Sequence, residues 1–266
     1  MKFKEDLDSY FTWFRDYVSS FYCNDININR NITIKEDHTL RVVQNIRELV
    51  RSNNISEEIS ILSILTALFH DIGRFKQFTL YGTFSDKDSE DHAELGVRVL
   101  KETNVLSALS DKSVDLILNT ILVHNKKDLY SKSKDPDMIL LSKLIRDADK
   151  LDILKILTRD FHDPEQSVNP ALQLDLPDND HYSEYAIRNF FNYRTLNNNR
   201  IENRADFKLL LISWIYDLNF DQTLQMIKKR KYIESLLSVL PQNDMLEKIK
   251  IHTLNYIKTM GDSSRD

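Results

Sequence analysis

The sequence predicts an all-α protein, and two observations carry that prediction. Apolar residues recur at helical spacing through most of the 266 residues, and no segment alternates apolar and polar residues as a half-buried strand does. The chain has only four glycines, and three of them fall in one segment between residues 73 and 96. Outside that segment we expect one helix after another.

The predicted helices follow in order along the chain. Residues 5–22 and 36–51 carry apolar and aromatic residues at helical spacing. Ser56, with two glutamates directly behind it, is typical of a helix start, and the string ISILSILTALFH then predicts a buried helix that ends at His70. The remaining predicted helices span residues 90–103, 111–125, 137–159, 182–196, 204–218, 221–239 and 243–259.

The same pattern divides the chain into three parts. Residues 1–159 form a first domain, and residues 160–181, rich in proline, aspartate and asparagine, form a loop that could act as a lid. Residues 182–266 form a helical extension that is expected to pack on the first domain. Its many aromatic residues favour a helical core; the alternative is a surface that stacks on a nucleobase with the help of Arg188, Arg194 and Arg204.

Composition restricts the functional classes. The net charge of −5 argues against a protein that coats duplex nucleic acid. A single cysteine, Cys23, excludes an internal disulfide framework and a thiolate metal cage. No stretch approaches the ~20 apolar residues of a membrane span, and the acidic N-terminal segment does not read as a signal peptide. A cytoplasmic protein is expected.

Histidine and aspartate interrupt three otherwise apolar helices. His70 and Asp71 end the buried run described above, and His124 ends the run VDLILNTILVH. Asp147, Asp149 and Asp152 interrupt the helix LIRDADKLDIL. Because buried carboxylates are strongly penalised unless they are paired, these interruptions need a common explanation. Imidazole and carboxylate ligands suit iron, manganese, zinc, cobalt or nickel, so a shared metal centre is the hypothesis that explains all three.

Four of the histidines and aspartates considered as metal ligands also have an ordinary structural explanation. His38 lies near the predicted start of the second helix, where a surface or capping role is common. His70 is favoured at a helix C-terminus by the helix dipole, with Asp71 capping the turn that follows at Ile72–Gly73. His92 is placed one turn into a helix that begins near Ser89, as a first-turn polar residue. Taken singly, these alternatives stay open.

The ordered set of residues resembles the HD superfamily of metal-dependent phosphohydrolases, in the version with two extra histidines. The resemblance rests on five strings within a core of residues 35–157: HTLRVVQNI, LTALFHDIGRF, DHAELGVRVL, ILVHNKKD and IRDADKLDIL. It implies an all-helical core in which helix ends converge on the metals. The additional signatures of the HD-GYP subgroup do not follow the string HDIGRF, so specificity for cyclic di-GMP is not carried over.

The resemblance also implies roles for individual residues. Two divalent metal ions, of iron, manganese, nickel, cobalt or zinc, are expected. The first would be held by His38, His70, Asp71 and Asp149. Asp71, the central catalytic residue, would bridge to the second metal, which His92 and His124 complete. Asp149 matches the aspartate of the family's AD-x-L string, which leaves Asp147 to orient a ligand histidine through the ring N–H that does not face the metal.

The implied reaction is hydrolysis of a phosphate mono- or diester by metal-activated hydroxide. Arg74 and Arg41 are predicted to clamp the phosphate; the alternative for either is a solvated ion pair on a helix. The expected partner is a small phosphate ester, with a nucleotide as the favoured example, and a homo-oligomer is compatible with the sequence. Two other functions stay open: a mixed-valent di-iron oxygenase like inositol oxygenase, and a non-catalytic regulatory module that binds a nucleotide or a partner protein.

Overall fold

The structure is a computed structural model that describes residues 2–126, 133–162 and 176–262. Within these ranges the regular elements are helices and no strand occurs, so the all-α prediction is confirmed. The α-helices are α1 (Lys2–Ser19), α2 (Ile26–Ser52), α3 (Glu57–Phe69), α4 (Ile72–Tyr81), α5 (His92–Thr103), α6 (Asp111–Val123), α7 (Pro136–Asp160), α8 (Glu184–Phe191), α9 (Arg204–Ser213), α10 (Asp221–Lys229), α11 (Tyr232–Ser238) and α12 (Asp244–Asp262).

The chain divides into two compact units, Met1–Asp152 and Ile153–Asp266, and the division falls within α7. In the first unit α3 packs against α1, α2 and α6, while α5 packs against α4 and α6. Its core is made of fully buried aromatic and aliphatic side chains, among them Phe14, Ile46, Leu65, Phe69 and Phe75. The apolar spacing read from the sequence therefore corresponds to the faces that these helices bury.

In the second unit α9 packs against α8 and α11, and α10 packs against α11 and α12. The aromatic residues of this unit contact one another: the ring of Phe190 is fully buried and lies 5.5 Å from Tyr216 and 5.6 Å from His252 between centroids. This packing is that of a helical core. Residues 163–175, most of the predicted lid, lie outside the described residues.

Three predicted helix boundaries are wrong, each for a local reason. The second helix begins ten residues earlier than predicted, because the side chain of Asp25 caps it by accepting hydrogen bonds from the amides of Asn27 and Ile28. The helix predicted at 182–196 ends at Phe191, and Tyr193 adopts a positive φ of 54°. The helix predicted at 221–239 is two helices, separated at Lys231 by a φ of 56°.

The sequence analysis also missed α4, which begins directly after the His–Asp pair. Its second residue, Gly73, lies against Gly96 of α5; a Cβ built on Gly73 would lie 2.6 Å from the amide nitrogen of Gly96 and would overlap the carbonyl oxygen of His92. Gly82 ends the helix in the left-handed conformation, with φ of 68°. Two of the glycines that seemed to break helices thus allow one helix to pack closely and to end.

None of the helices in the described ranges combines the length and the apolar character that crossing a membrane would require.

Candidate metal centre

Six side chains predicted from the sequence as metal ligands come together in the first unit. Four of them stand at helix ends: His70 follows the last residue of α3, Asp71 precedes α4, His92 is the first residue of α5, and His124 follows α6. The other two, His38 and Asp149, come from within the long helices α2 and α7. His38 is therefore not near a helix start, as predicted, but in the middle of a helix.

One group of ligands consists of His38, His70 and Asp149. The Nε2 atom of His38 lies 3.2 Å from Asp149 Oδ1, and the Nε2 atom of His70 lies 4.0 Å from the same oxygen. Oδ2 of Asp71 faces this group, at 3.6 Å from His38 Nε2 and 3.8 Å from His70 Nε2.

The second group consists of His92, His124 and Asp71. The two histidine Nε2 atoms lie 3.2 Å apart. Oδ1 of Asp71 lies 3.4 Å from His92 Nε2 and 3.9 Å from His124 Nε2. Each oxygen of the Asp71 carboxylate therefore faces a different pair of imidazoles. The side chain makes no capping hydrogen bond to α4, so the alternative that Asp71 merely caps the next turn is wrong.

The hydrogen bonds of the four imidazoles fix which ring nitrogen faces the centre. His70 and His124 place Nδ1 against the backbone oxygens of Ala67 and Ile121, at 2.8 and 2.7 Å. Since a carbonyl only accepts, each Nδ1 carries the proton and each neutral ring presents the lone pair of Nε2 to the centre. In His38 and His92, Nδ1 faces a carboxylate, which also accepts, so Nε2 again presents its lone pair to the centre.

This arrangement fits metal ions. The Nε2 atoms of His92 and His124 face each other as two acceptors, and Nε2 of His70 is buried without a hydrogen-bond partner among the described residues. Such lone pairs need a cation between them. Two ligand atoms bound at about 2.1 Å and 90–110° to one cation are about 3.0–3.4 Å apart, and the shorter distances above fall in that range. The residues present could therefore hold metal ions in both groups.

Comparison with protein families identifies the fold around this centre. Residues 36–154 match the family model described as HD domain. This segment is an HD domain. The match spans all six ligand candidates and confirms the resemblance to the HD superfamily, whose members are commonly metal-dependent phosphohydrolases. No curated protein and no solved structure is significantly similar to the chain.

Two aspartates support the histidines of the HD domain from outside the ligand groups. Asp152 accepts from Nδ1 of His38 at 2.8 Å, and Asp86 accepts from Nδ1 of His92 at 2.7 Å. A carboxylate in this position fixes the ring orientation and makes the other ring nitrogen a stronger ligand. Asp147, to which the resemblance assigned this role, is buried in α7. The Nδ1 atoms of all four ligand histidines are hydrogen-bonded to groups other than Asp147.

The two arginines predicted to clamp phosphate bind these aspartates. Arg41 donates to Asp152 through Nε at 2.6 Å and through a second nitrogen at 3.1 Å. Arg74 donates through Nη1 to Asp86 at 2.9 Å, and also to the side chain of Gln77 and the backbone oxygen of Phe84. The HD domain therefore contains two arginine–aspartate–histidine chains, one for each ligand group. Asp152 was noted in the sequence only as one of three aspartates that interrupt an apolar helix, and Asp86 had no recognisable signal.

Burial and charge set the protonation of the ligands. Burial, and after it the positive charge of Arg74, lowers the pKa of His92 to about 4; burial, and after it His70, lowers the pKa of His124 to about 4. Burial would also lower the pKa of His38, but the nearby carboxylates of Asp149 and Asp152 raise it. His92 and His124 are thus neutral at pH 7, the state in which imidazole binds metal.

Asp71 is ionised although it is buried. Burial alone would raise the pKa of its carboxyl group, but Lys35, His70 and Arg74 hold that pKa well below its usual range. The ammonium group of Lys35 lies 2.8 Å from Asp71 Oδ2, which makes it the closest cationic group to the carboxylate. The sequence analysis did not select Lys35, although it stands one helical turn before His38.

Proposed function

We propose that this chain is a metal-dependent phosphohydrolase with two divalent metal ions, cleaving a small phosphate mono- or diester. One observation carries the proposal: the two oxygens of Asp71 each face a separate pair of inward-directed imidazole lone pairs. A carboxylate so placed is suited to bridge two cations. Asp149 provides a further carboxylate oxygen on the first side alone, which gives the two groups different ligands.

The side chains of the centre would hold the cations and set their charge environment. Two bound divalent cations would lower the pKa of a coordinated water toward neutrality and offset the charge of the phosphoryl oxygens. The four imidazoles are neutral ligands, so Asp71 and Asp149 are the anionic ones, and the excess positive charge attracts an anionic substrate. Histidine and aspartate in this combination suit manganese, iron, cobalt, nickel or zinc.

A nucleotide is our proposed example of the substrate. Its phosphate group would supply the anionic oxygens that the two cations bind. We propose no duplex nucleic acid as a partner, because the chain carries a net negative charge. A homo-oligomer is compatible with this function.

The test combines metal analysis with a phosphate-release screen. Purified protein is analysed for bound transition metals and then assayed, with each metal in turn, across nucleotides and simple phosphate esters. We expect about two metal ions per chain and turnover that Asp71→Asn abolishes. The matched control is Asp16→Asn, since Asp16 is exposed on α1.

The other outcomes separate the alternatives. Protein that binds no metal and hydrolyses no ester would contradict the enzyme proposal and favour a non-catalytic regulatory module. Oxygen consumption by the iron-loaded, partly reduced protein, without phosphate release, would instead identify an oxygenase that uses the same ligands. The presence of all six ligand side chains is what favours an enzyme over a module without a metal centre.

A further inference from the structure

Within the part of the chain that the structure describes, Lys35 pairs with Asp71 without being a candidate metal ligand or holding a ligand histidine in place. Its Nζ atom lies 2.8 Å from Asp71 Oδ2, the oxygen that faces His38 and His70, and 5.3 Å from the centroid of the Phe84 ring. A lysine ammonium group has three hydrogens to donate. The hydrogen bond to Asp71 uses one of them, and two are left for another acceptor.

Exposure places Lys35 where an incoming ligand would meet it. The side chains of the four histidines and Asp71 are at most 5% exposed, whereas those of Lys35 and Asp149 are 18% and 24% exposed. Arg41 is bound to Asp152, and Arg74 is bound to Asp86, with its Nε atom also 3.6 Å from Asp71 Oδ1. Among the described residues, Lys35 therefore pairs with no carboxylate outside the two ligand groups, because its partner Asp71 is itself a predicted ligand.

We propose that Lys35 is a substrate-binding residue. When a cation binds Asp71, the ammonium group exchanges its contact with that carboxylate for a phosphoryl oxygen of the substrate. The inference rests on the proposed function and adds a residue and a substrate class to it. Lysine suits this role because its point charge on a flexible stem can change partners over a short distance.

The balance of charge points to a phosphate monoester. Arg41 and Arg74 add no net charge, since Asp152 and Asp86 offset them. Two divalent cations would exceed the charge of Asp71 and Asp149, and Lys35 adds one more positive charge. A centre with this excess attracts the dianion of a monoester more strongly than the single negative charge of a diester.

The experiment measures binding rather than turnover. Lys35→Met removes the charge and keeps the stem, Lys35→Arg keeps the charge, and Lys112→Met is the control, since Lys112 is exposed at the opposite end of α6 from His124. The dissociation constant of Mn²⁺ is measured first. The dissociation constants of inorganic phosphate and dimethyl phosphate are then measured on the manganese-loaded protein, each by calorimetry.

We expect Lys35→Met to bind Mn²⁺ roughly tenfold more tightly, because no ammonium group competes for Asp71. The same variant should bind inorganic phosphate roughly tenfold more weakly, while its weak binding of dimethyl phosphate changes little. Lys35→Arg should keep most of the phosphate affinity, and Lys112→Met should match the wild type.

Opposite results would overturn the inference. Lys35→Met that binds phosphate as the wild type does would show that Lys35 only stabilises the metal-free centre. Lys35→Met that loses affinity for Mn²⁺ would show that Lys35 supports the metal-bound centre instead of competing with the cation. Wild-type protein that binds no phosphate would also refute it. If Lys35→Met is unfolded, the same dissociation constants are measured for Lys35→Gln and compared with the same expected changes. Phosphate binding through Lys35 without hydrolysis of any ester would refute the proposed function and leave the role of Lys35 intact.

Discussion

At the scale of single residues, the centre depends on how each imidazole divides its two nitrogens. Nδ1 makes a hydrogen bond that holds the ring, and Nε2 is left for the centre. Two rings use backbone oxygens at the ends of α3 and α6, which the helices themselves supply. The other two rings use Asp86 and Asp152, and these carboxylates are in turn held by arginines. Ligand orientation on this second pair therefore depends on side chains that can be changed one at a time.

The first prediction concerns Asp152. Asp152→Asn keeps an oxygen that can accept from Nδ1 of His38 but removes the negative charge that makes the imidazole a better ligand. We expect the affinity for Mn²⁺ to fall by roughly 10–100-fold. Competition with a coloured chelator measures it, with Asp16→Asn as the control. An unchanged affinity would mean that the hydrogen bond alone, and not the charge, supports His38.

The second prediction tests whether Arg74 acts through Asp86. If Arg74 only holds Asp86, and Asp86 holds His92, the two changes affect one chain of contacts and their effects do not add. We expect Arg74→Met to weaken Mn²⁺ binding less than Asp86→Asn does, and the double variant to be no weaker than Asp86→Asn alone.

The four affinities of that cycle decide between two roles of Arg74. Additive losses, accompanied by a separate loss of phosphate affinity in Arg74→Met, would restore the role of phosphate clamp that the sequence suggested.

At the scale of helices, the predictable part of the structure was the part controlled by apolar spacing. The helices α3, α6 and α7 were predicted within two residues of their ends, because α3 is an apolar run buried on all sides and α6 and α7 bury apolar residues three or four positions apart. The start of α2 was missed because the segment ININRN contains three asparagines, which favour helices poorly, and its helix depends on the cap at Asp25.

The metal-ligand candidates could be predicted from the sequence, whereas Asp86, which supports one of them, could not. His70, Asp71, His124 and Asp149 stood out because they interrupt apolar runs, and the resemblance to the HD superfamily pointed to His38 and His92 as the remaining ligands. Asp86 lies between helices in the polar segment SDKDSED, where nothing distinguishes it from its neighbours. Its role follows only from the fold, which brings it to His92 and Arg74. Contacts between segments that are far apart in the chain produce no periodic pattern in the sequence.

The third prediction concerns the close contact of α4 and α5, which positions Asp71 and His92. Gly73→Ala would put a methyl group against the backbone of His92 and Gly96, where no flexible side chain can move away. We expect a loss of unfolding free energy of about 3 kcal/mol or more, measured by urea denaturation. Gly82→Asn is the control, because the site is open and asparagine tolerates a positive φ; a loss equal to that of Gly73→Ala would contradict the packing explanation.

At the scale of the whole molecule, the candidate metal centre brings together distant parts of the first unit. The six ligand candidates come from positions 38 to 149, and their side chains meet at the ends of four helices and within two others. Without a cation, the Nε2 lone pairs of His92 and His124 face each other, and Asp71 Oδ1 faces both of them. Metal binding should therefore stabilise the folded unit as a whole, rather than one local segment.

The fourth prediction follows from this coupling. A ligand that binds only the folded state, at 100 times its dissociation constant, adds about 2.7 kcal/mol of stability. For a chain of this size that corresponds to a rise in Tm of roughly 5–10 °C. We expect Mn²⁺ to raise the Tm of the chelator-treated protein by this amount, as followed by circular dichroism. In Asp71→Asn the rise should be nearly lost, since one carboxylate serves both ligand groups, and Asp16→Asn should behave as the wild type. A rise that survives in Asp71→Asn would place the stabilising metal elsewhere in the chain.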